Sequence, residues 1–377
     1  MLLKNIHAVR SDRVTPCDMR LEHGRIAAFG RDLAPYEGEE VIDGGGAYAF
    51  AGLIDTHTHG AMGSVYYNLN SDVDTVLAFE AREGVTMAAA TLESAPIDKE
   101  IELTRHLLPF FEKKSGRAKL GGIHFEGPFL NPAKKGAMNP DGMVIPNVPD
   151  FDRLYEVAEG HMKLITVAPD MPGALDVISR AVSRGVKVSA GHTMASAEQM
   201  KAAVDAGLTR MTHTFNACRG FDHREPGILG TALTDERVTC EVICDFAHLH
   251  PLTVELIYRA KGAERFTAIS DSEFAAGLAE GKLVGEDGRE RFIDGGVARL
   301  ADGTICGSAS SLARGFRNLC SLDIPLWEVS RMCSENPAKA LGVFDQTGSL
   351  DVGKCADLFL ADKDFCVKTV FVDGEKI

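Results

Sequence analysis

Two histidines one residue apart are the first side chains in this sequence that could do chemistry. His57 and His59 lie in the segment Gly52-Leu-Ile-Asp-Thr-His-Thr-His-Gly60. Residues Leu53 to Thr58 are typical of a short buried strand, on which side chains two apart point to the same face. The two imidazoles would then lie side by side as a pair of metal ligands. An isolated His-x-His more often belongs to histidines that bond to nearby carbonyls, so the metal hypothesis needs further ligands elsewhere.

Further ligand types do follow later apolar segments of the chain. They are Glu126, His192, His213 and Asp271, and each stands at the end of a segment typical of a buried strand or shortly after it. Singly, each has an ordinary alternative: His192 could cap a helix, Glu126 could form a loop ion pair, and Asp271 could be an N-cap. Together with the first histidine pair they form a set of nitrogen and oxygen ligands. Such a set suits Zn²⁺ or Fe²⁺ in a one- or two-metal site.

The elements that must position these side chains alternate between strands and helices. Eight segments are predicted as strands: Leu53 to Thr58, Val85 to Thr91, Leu120 to Phe125, Leu164 to Ala168, Val186 to Ala190, Arg210 to His213, Thr239 to Cys244 and Phe266 to Ser270. Helical patterns lie between them, among them Asp72 to Arg82, Ile97 to Lys113, Ala174 to Arg184 and Ala197 to Ala206. Strands joined by helical crossovers predict a parallel sheet, and eight at this spacing predict a closed (β/α)8 TIM barrel of the α/β class. The carboxyl ends of barrel strands converge on one mouth, where the ligand-type residues are expected to meet.

Two further features support a barrel with a site at that mouth. The run from Gly127 to Pro149 is rich in glycine and proline and too long for an ordinary connection, which predicts a functional loop over the barrel mouth. No G-x-G-x-x-G follows the first predicted strand and no Walker A sequence occurs, so open nucleotide-binding sheets lack their phosphate loops.

Both ends of the chain carry short alternating segments with turn signals. The predicted strands are Leu2 to Val9, Asp18 to Leu21, Arg25 to Phe29 and Val41 to Ala47 at the start, and Asp357 to Ala361 and Val367 to Val372 at the end. Neither set could bury much apolar surface alone. We therefore expect one small β-sandwich domain from residues 1–51 and 348–377, and a barrel domain from residues 52–347.

Composition narrows the class of partner. The 377 residues include 40 Lys and Arg against 54 Asp and Glu, a formal charge of -14, which argues against nucleic acid and anionic lipid as partners. Any anionic ligand must then be met by a local cluster of donors. The nine cysteines contain no C-x-x-C pair, and no apolar run nears membrane-spanning length. We expect a soluble protein of the reducing cytoplasm.

With these residues assembled, the chain resembles the amidohydrolase superfamily, and more closely the N-acetylglucosamine-6-phosphate deacetylase family. The most specific motifs are His124-Phe-Glu-Gly-Pro-Phe-Leu130, Lys135-Gly-Ala-Met-Asn-Pro140, Ala190-Gly-His-Thr193, Thr212-His-Thr-Phe-Asn-Ala217 and His223-Arg-Glu-Pro-Gly227. The resemblance extends from the N-terminal β unit to Gly348-Ser-Leu-Asp-Val-Gly-Lys-Cys-Ala-Asp357. It implies metal-dependent removal of acetate from an N-acetylated hexosamine 6-phosphate, in a homodimer inside the cell.

The resemblance also implies roles for the ligand-type residues. Glu126, His192 and His213 would hold one divalent metal, Zn²⁺ or Fe²⁺, and the His57/His59 pair would offer a second position that Glu126 bridges. Because this chain keeps the pair, two metals are favoured. Such a metal lowers the pKa of water from about 16 to about 7, so that metal-bound hydroxide can attack the acetyl carbon. Asp271, also counted with the metal ligands, would act as general base and then as general acid.

Contacts to the substrate are implied in the same way. His248 matches a family histidine that contacts substrate and could polarise the carbonyl; its alternative is an ordinary loop histidine. Arg224 offers a guanidinium fork for phosphate, with His223 as a weaker candidate that could reach a partner's site in the dimer. The alternative for Arg224 is a surface ion pair with Glu225 or Asp222. The remaining expected substrate contacts are Ala137, Met138, Asn216, Ala217 and Cys306.

Two departures from the family pattern leave the sugar open. Met138 stands where the family usually has a histidine, and Ser272-Glu273-Phe274 brings a charge and a ring where small residues and proline are usual. The preferred substrate could therefore be the galacto epimer or another acylated amino sugar. Another amidohydrolase branch would need a bridging lysine after the fourth strand, which ends instead in Val167-Ala-Pro-Asp170. A non-catalytic sugar-phosphate sensor would have no use for Asp271.

Overall fold

A computed structural model describes residues 1–112, 114–285 and 288–377. In chain order its strands are β1 (Leu2–Val9), β2 (Val14–Glu22), β3 (Arg25–Gly30), β4 (Val41–Asp43), β5 (Tyr48–Ala51), β6 (Leu53–Thr58), β7 (Gly60–Ala61), β8 (Ser64–Val65), β9 (Val85–Glu93), β10 (Lys119–Glu126), β11 (Met162–Val167), β12 (Lys187–Ala190), β13 (Arg210–Met211), β14 (Thr239–Ile243), β15 (Phe266–Ile269), β16 (Gly281–Val284), β17 (Glu290–Asp294), β18 (Val297–Leu300), β19 (Ile305–Ser308), β20 (Leu358–Ala361), β21 (Val367–Val372) and β22 (Glu375–Lys376).

The helices fill most of the connections between the barrel strands. They are α1 (Val73–Arg82), α2 (Ile97–Leu107), α3 (Val148–Val157), α4 (Ala174–Ser183), α5 (Ala197–Asp205), α6 (Gly227–Thr234), α7 (Pro251–Lys261), α8 (Leu312–Cys320), α9 (Leu326–Ser330) and α10 (Asn336–Leu341), with 3-10 turns at Leu108–Phe111, Pro132–Lys134, Pro140–Gly142 and Ala263–Arg265 and a π-helical turn at Arg331–Glu335. Local sequence sets where several begin. Asp72 caps α1, and Ser196 with Gln199 forms a capping box at α5. Across the described ranges, no helix has the length and apolar character needed to cross a membrane.

Eight parallel strands form the central sheet in the order β15-β14-β13-β12-β11-β10-β9-β6. Hydrogen bonds from Asp271 N to His57 O (2.9 Å) and from His59 N to Ser272 O (2.8 Å) join its two ends. Every strand side chain of β6 and β15 is buried, as expected for strands covered on both faces. The predicted barrel is confirmed.

Some predicted element ends differ from the structure. The sixth barrel strand ends at Met211, because His213 and Phe215 have positive φ and the chain turns out of the sheet before them. The run Val41 to Ala47 is broken by Gly45 and Gly46, both at positive φ, and regular pairing resumes only at Tyr48. Helix α2 ends at Leu107, and Lys113, the predicted end of that helix, lies outside the described residues.

The two ends of the chain share the second large sheet, in the order β22-β21-β20-β5-β1-β2-β3 with β4 also paired to β1. Its own apolar core includes Leu3, Met19, Leu21, Leu358 and Phe371, all buried. These side chains come from both ends of the sequence, so neither end can bury its apolar face without the other. The predicted β-sandwich from both termini is confirmed, whereas the domain boundaries at residues 51/52 and 347/348 stay a prediction.

A third sheet, β16-β17-β18-β19, lies between the last barrel strand and α8 and was not predicted. Its four strands are antiparallel and short, and only one of them shows clear alternation of buried and exposed residues. The sheet is attached to the segment after the barrel, since Ser308 N donates to Asp271 O at 2.8 Å and Glu273 N donates to Ser308 O at 3.0 Å. The β16–β19 sheet therefore lies along one side of the barrel mouth.

Candidate active site

A cavity of about 220 Å³ opens at the carboxyl ends of the barrel strands. Its walls carry the residues His59, Glu93, Glu126, Gly136, Ala137, Met138, His192, His213, Asn216, Ala217, His248, Asp271, Glu273, Thr304, Ile305, Cys306 and Gly307. Gly136, Ala137 and Met138 come from the predicted loop between Gly127 and Pro149, and the last four come from β19 and the turn that precedes this strand. The predicted convergence of ligand-type side chains at one mouth is therefore a feature of the structure.

Glu126 lies at the centre of this group. Its Oε1 atom is 2.9 Å from Nε2 of His213 and 3.1 Å from Nε2 of His192, and its Oε2 atom is 3.2 Å from Nε2 of His59. Since Oε1 also lies 3.3 Å from Nε2 of His57, the carboxylate lies close to all four histidines. Glu126, His192 and His213 form one group whose ligand atoms all lie within 4.8 Å of one another.

A second group of ligand atoms lies beside the first. His57, His59 and Asp271 also lie within 4.8 Å of one another through their ligand atoms. Asp271 Oδ1 is 3.4 Å from Nε2 of His57 and 3.3 Å from Nε2 of His59. The five predicted ligands and Asp271 are therefore all brought together.

Charge distribution in the centre favours a bound cation. Burial alone would lower the pKa of His57, but the Glu126 and Asp271 carboxylates raise it to about 10. Burial alone would raise the pKa of Glu126, but His57, His192 and His213 hold it well below its ordinary value. The carboxylates are thus ionised, and their negative charge stabilises positive charge at the centre.

One buried atom tests directly whether a metal fits. Nε2 of His57 makes no hydrogen bond to any described residue, although Oε1 of Glu126 lies 3.3 Å away and Oδ1 of Asp271 lies 3.4 Å away. Buried polar atoms are normally satisfied, and a cation between these three atoms would satisfy all of them. The donor set of histidine nitrogens and carboxylate oxygens suits Zn²⁺ or Fe²⁺.

The backbone is strained where the ligands leave their strands. His192, His213 and Asp271 have φ values of 49°, 25° and 52°, in the left-handed region that residues other than glycine seldom adopt. Such strain costs on the order of 1–3 kcal/mol per residue and persists at functional sites, where the surroundings impose it. Here it turns each side chain from the end of its strand into the mouth.

His248 lies in the loop after β14 and lines the cavity. Its Nδ1 donates to Oδ2 of Asp245 at 2.7 Å, and Oδ1 of Asp245 accepts from the backbone N–H groups of Ala247 and His248. Burial would raise the pKa of Asp245, but His248 and these donors lower it. The ring is therefore held through Nδ1, and the role of His248 as a substrate contact stays a prediction.

The expected substrate contacts fall into two groups. Ala137, Met138, Asn216, Ala217 and Cys306 line the cavity, and burial raises the pKa of the Cys306 thiol to about 11, so this cysteine is neutral. His223 and Arg224 are exposed and do not line it within the described part of the chain. Among the described residues, Arg224 does not form the ion pair offered as its alternative, since Glu225 lies 3.9 Å from Arg219 and Asp222 lies 3.6 Å from His223.

Three carboxylates near the centre were not predicted from the sequence. Glu241 on β14 contacts His57, and Glu93 at the end of β9 lies with Glu273 beside His59. Glu273, noted only as a departure from the family, accepts from Tyr67 Oη through both carboxylate oxygens, at 2.9 and 3.0 Å. Glu241 could have been found as a charge within the apolar run Thr239-Cys-Glu-Val-Ile243, and Glu93 by its position at a strand end.

Comparison with known proteins agrees with this geometry. The amidohydrolase family model matches residues 48–377. The chain therefore belongs to the amidohydrolase family, a class of hydrolases. Within it, the chain is 32% identical over 372 residues to the N-acetylglucosamine-6-phosphate deacetylase of Bacillus subtilis (strain 168), covering 97% of this chain and 93% of that protein. It thus belongs to the N-acetylglucosamine-6-phosphate deacetylase family, as the resemblance predicted.

Two further relatives differ in the sugar phosphate that their names give as substrate. The chain is 33% identical over 326 residues to the N-acetylgalactosamine-6-phosphate deacetylase of Escherichia coli O157:H7, with 85% of each chain covered. The structure matches the crystal structure of N-acetyl-D-glucosamine-6-phosphate deacetylase from Mycobacterium smegmatis with a TM-score of 0.92 and 32% identity over 100% of both chains. A mutant of that enzyme in complex with N-acetyl-D-glucosamine-6-phosphate matches with a TM-score of 0.91 and 31% identity, over 100% of this chain and 98% of that one.

Proposed function

We propose that this chain hydrolyses N-acetylglucosamine 6-phosphate to glucosamine 6-phosphate and acetate. The observation that carries the proposal is the pair of ligand groups that meet at Glu126 beside Asp271, at the mouth of a barrel that matches deacetylases over its whole length. Amide hydrolysis needs an activated water and a proton for the departing amine. The residues at this mouth can supply both.

One or two divalent ions, Zn²⁺ or Fe²⁺, would be held at this centre, with two favoured. Glu126, His192 and His213 would hold the first and His57, His59 and Asp271 the second, with Glu126 between them. Such an ion lowers the pKa of water from about 16 to about 7 and polarises a carbonyl oxygen.

Proton transfer is the task of Asp271. Its carboxylate would accept a proton from the attacking water and then deliver it to the sugar nitrogen as the C–N bond breaks. His248, held through Nδ1 by Asp245, would present Nε2 to the acetyl carbonyl or to a sugar hydroxyl. Ala137, Met138, Asn216, Ala217 and Cys306 would surround the sugar and acetyl group.

Phosphate recognition would involve Arg224, with His223 as the weaker candidate. Both lie outside the cavity of their own chain, which supports a homodimer in which the loop reaches the partner's site. A charge of -14 makes a local cation necessary for an anionic sugar. The cytoplasm is proposed as location because the nine cysteines contain no C-x-x-C pair and no apolar run nears membrane-spanning length.

A second candidate substrate is N-acetylgalactosamine 6-phosphate. The Escherichia coli relative with that activity in its name is as similar as those of the gluco type. Met138 and Glu273 both line the cavity and differ from the usual family residues, so they are placed to alter recognition of a sugar hydroxyl.

A substrate panel tests the proposed reaction. We expect acetate release from N-acetylglucosamine 6-phosphate or its galacto epimer, with kcat/KM higher by roughly tenfold to a few hundredfold than for the unphosphorylated sugars, because each charge-assisted bond contributes about 1.5–3 kcal/mol. Equal rates on the free sugars would refute the phosphate requirement. Failure to cleave any acetylated hexosamine would refute the deacetylase function.

Elemental analysis tests the metals separately. Protein purified without chelators should carry one or two equivalents of zinc or iron, and strong chelator should abolish turnover. Metal-free protein that keeps full activity in chelator would contradict the proposed centre.

A further inference from the structure

A buried carboxylate outside the cavity contacts one of the proposed ligands. Glu241 lies on β14 and is fully buried. Its Oε2 atom is 3.2 Å from Nδ1 of His57, and its Oε1 atom accepts from Nη2 and Nε of Arg210 at 3.1 and 3.3 Å. Neither Glu241 nor Arg210 lines the cavity in the described part of the chain. In the described part of the chain, His57 is the proposed ligand to which the Glu241 side chain bonds.

The contact decides which nitrogen of His57 carries its proton. A metal-binding imidazole is neutral, and with its one proton on Nδ1 and donated to Glu241, the lone pair of Nε2 would point at the space between Glu126 and Asp271, where a metal would be held. His124 packs edge to face against the same ring, with centroids 4.6 Å apart. The ring is therefore held from one edge by a carboxylate and from one face by another imidazole.

The two proposed metal positions are supported in different ways. His192, a ligand of the first position, has Nδ1 bonded to the backbone carbonyl of Lys134 at 2.8 Å. His57, a ligand of the second position, depends on a side chain that Arg210 neutralises. Removal of Glu241 would thus weaken metal binding at the second position and leave the contact that holds His192 at the first position intact.

We propose that Glu241, paired with Arg210, is a positioning residue that fixes His57 in its metal-binding tautomer and so controls occupancy of the second metal position. The inference rests on the proposed two-metal function. Hydrogen-bond partners of metal-ligating histidines typically contribute 10- to 100-fold in metal affinity.

Two double variants separate positioning from simple loss of a buried charge. Both remove the Arg210 cation together with the Glu241 charge, so neither leaves an unpaired ion in the barrel. Glu241→Leu with Arg210→Met keeps side-chain volume but removes the acceptor for Nδ1–H. Glu241→Gln with Arg210→Met keeps a carbonyl acceptor for it. Glu100→Gln serves as the control variant. Glu100 is also a buried glutamate, and its Oε1 accepts from Ala95 N.

Metal content and affinity are the readouts, independent of activity. We expect two zinc ions per chain in the wild type and the control, and tenfold or more weaker binding of the second ion in the leucine variant, with near wild-type binding in the glutamine variant. Cobalt-substituted protein should lose one of its two sets of visible absorption bands in the leucine variant alone. Tight binding of two ions by the leucine variant would overturn the proposal, as would a single ion in the wild type.

A measurement on the unmodified protein tests the proposal even if the variants fail to fold. In zinc-loaded protein labelled with ¹⁵N-histidine, His57 should carry its proton on Nδ1, with the signal assigned by its loss in His57→Gln. A proton on Nε2 would overturn the inference. Either outcome is separate from the sugar panel, which tests the reaction itself.

Discussion

Asp271 combines the features expected of a proton carrier at this centre. Its side chain is 15% exposed whereas that of Glu126 is 2% exposed, so Asp271 is the more accessible of these two carboxylates. Burial would raise its pKa, but His57, His59 and His213 hold the pKa below the ordinary value. Asp271 is therefore ionised at neutral pH, the state that a proton acceptor requires.

Replacement of this carboxylate by its amide should separate catalysis from binding. We expect Asp271→Asn to lower kcat by at least ~100-fold, the usual contribution of a positioned acid and base, with little change in the thermal midpoint. Steady-state kinetics and metal analysis would check this. The surface variant Asp294→Asn should match the wild type. Undiminished turnover in Asp271→Asn would assign the proton transfer to another residue, with His248 as the next candidate.

At the scale of elements, β19 holds the segment that carries Asp271. A Cβ atom at Gly307 would lie 2.5 Å from Cγ of Glu273 and 3.0 Å from the backbone oxygen of Asp271. Gly303, in the turn before β19, also has positive φ, but a Cβ there would meet nothing within 4 Å. The two glycines therefore differ in packing and share the same kind of backbone conformation.

This difference predicts unequal effects of alanine. Gly307→Ala should push β19 away from Asp271 and lower kcat/KM roughly 10- to 100-fold, since displacements near 1 Å can cost that much, and overpacking should destabilise the fold by about 1–3 kcal/mol. Gly303→Ala should cost about 1 kcal/mol from its positive φ and leave kcat/KM unchanged. Kinetics and urea unfolding of both variants would test this. Equal activities would mean that β19 does not hold Asp271 in place.

At the scale of the whole molecule, the position of Arg224 outside the cavity predicts that each active site of the proposed homodimer contains residues of both chains. Arg224→Ala should lower kcat/KM for the phosphorylated sugar by roughly tenfold to a few hundredfold and hardly affect the unphosphorylated sugar. His223→Ala should have a smaller effect.

Mixed dimers test whether the arginine acts across the interface. In a hybrid of Arg224→Ala and Asp271→Asn subunits, one site would have Asp271 from one chain and Arg224 from the other, and activity would be regained. Assays after coexpression of the two variants would measure this gain. No gain over the separate variants would place the arginine's action within its own chain.

Lys119 links the barrel to the terminal sheet. Its Nζ lies 2.6 Å from Oδ2 of Asp357 and 3.0 Å from Oδ1 of Asp373. Burial alone would lower the pKa of Lys119, but the two carboxylates raise it above its ordinary value of 10.5. A raised pKa means that this stabilisation is fully present below pH 10.5 and is lost as the pH rises through the folded-state pKa.

Removal of this cation should destabilise the protein strongly. Lys119→Met should lower the free energy of unfolding by about 3–5 kcal/mol, because Asp357 is fully buried and loses a partner. Lys99→Met, which breaks an exposed pair with Glu102, should cost about 1 kcal/mol or less. Urea unfolding at neutral pH would compare them. The difference between wild type and Lys119→Met should shrink above pH 10.5, and a difference that grows there would contradict the assignment.

The sequence by itself determined the barrel, the β-sandwich from both termini and the family. Eight apolar runs with helices between them allow few folds, and ligand residues directly after those runs must meet when the strands are parallel. These are local patterns whose consequences follow from general rules of chain geometry. The roles assigned to His57, Glu126 and Asp271 stay a prediction, although the structure brings these residues together.

Only the tertiary structure decided the contacts between distant strands. Glu241 meets His57 across 184 positions of sequence because β6 and β14 both line the closed barrel, and no local pattern records that pairing. The β16–β19 sheet likewise contributes Cys306 to the cavity because its last strand pairs with the segment after Asp271. The sequence specifies which side chains are available at each strand, whereas closure of the sheet selects which of them touch.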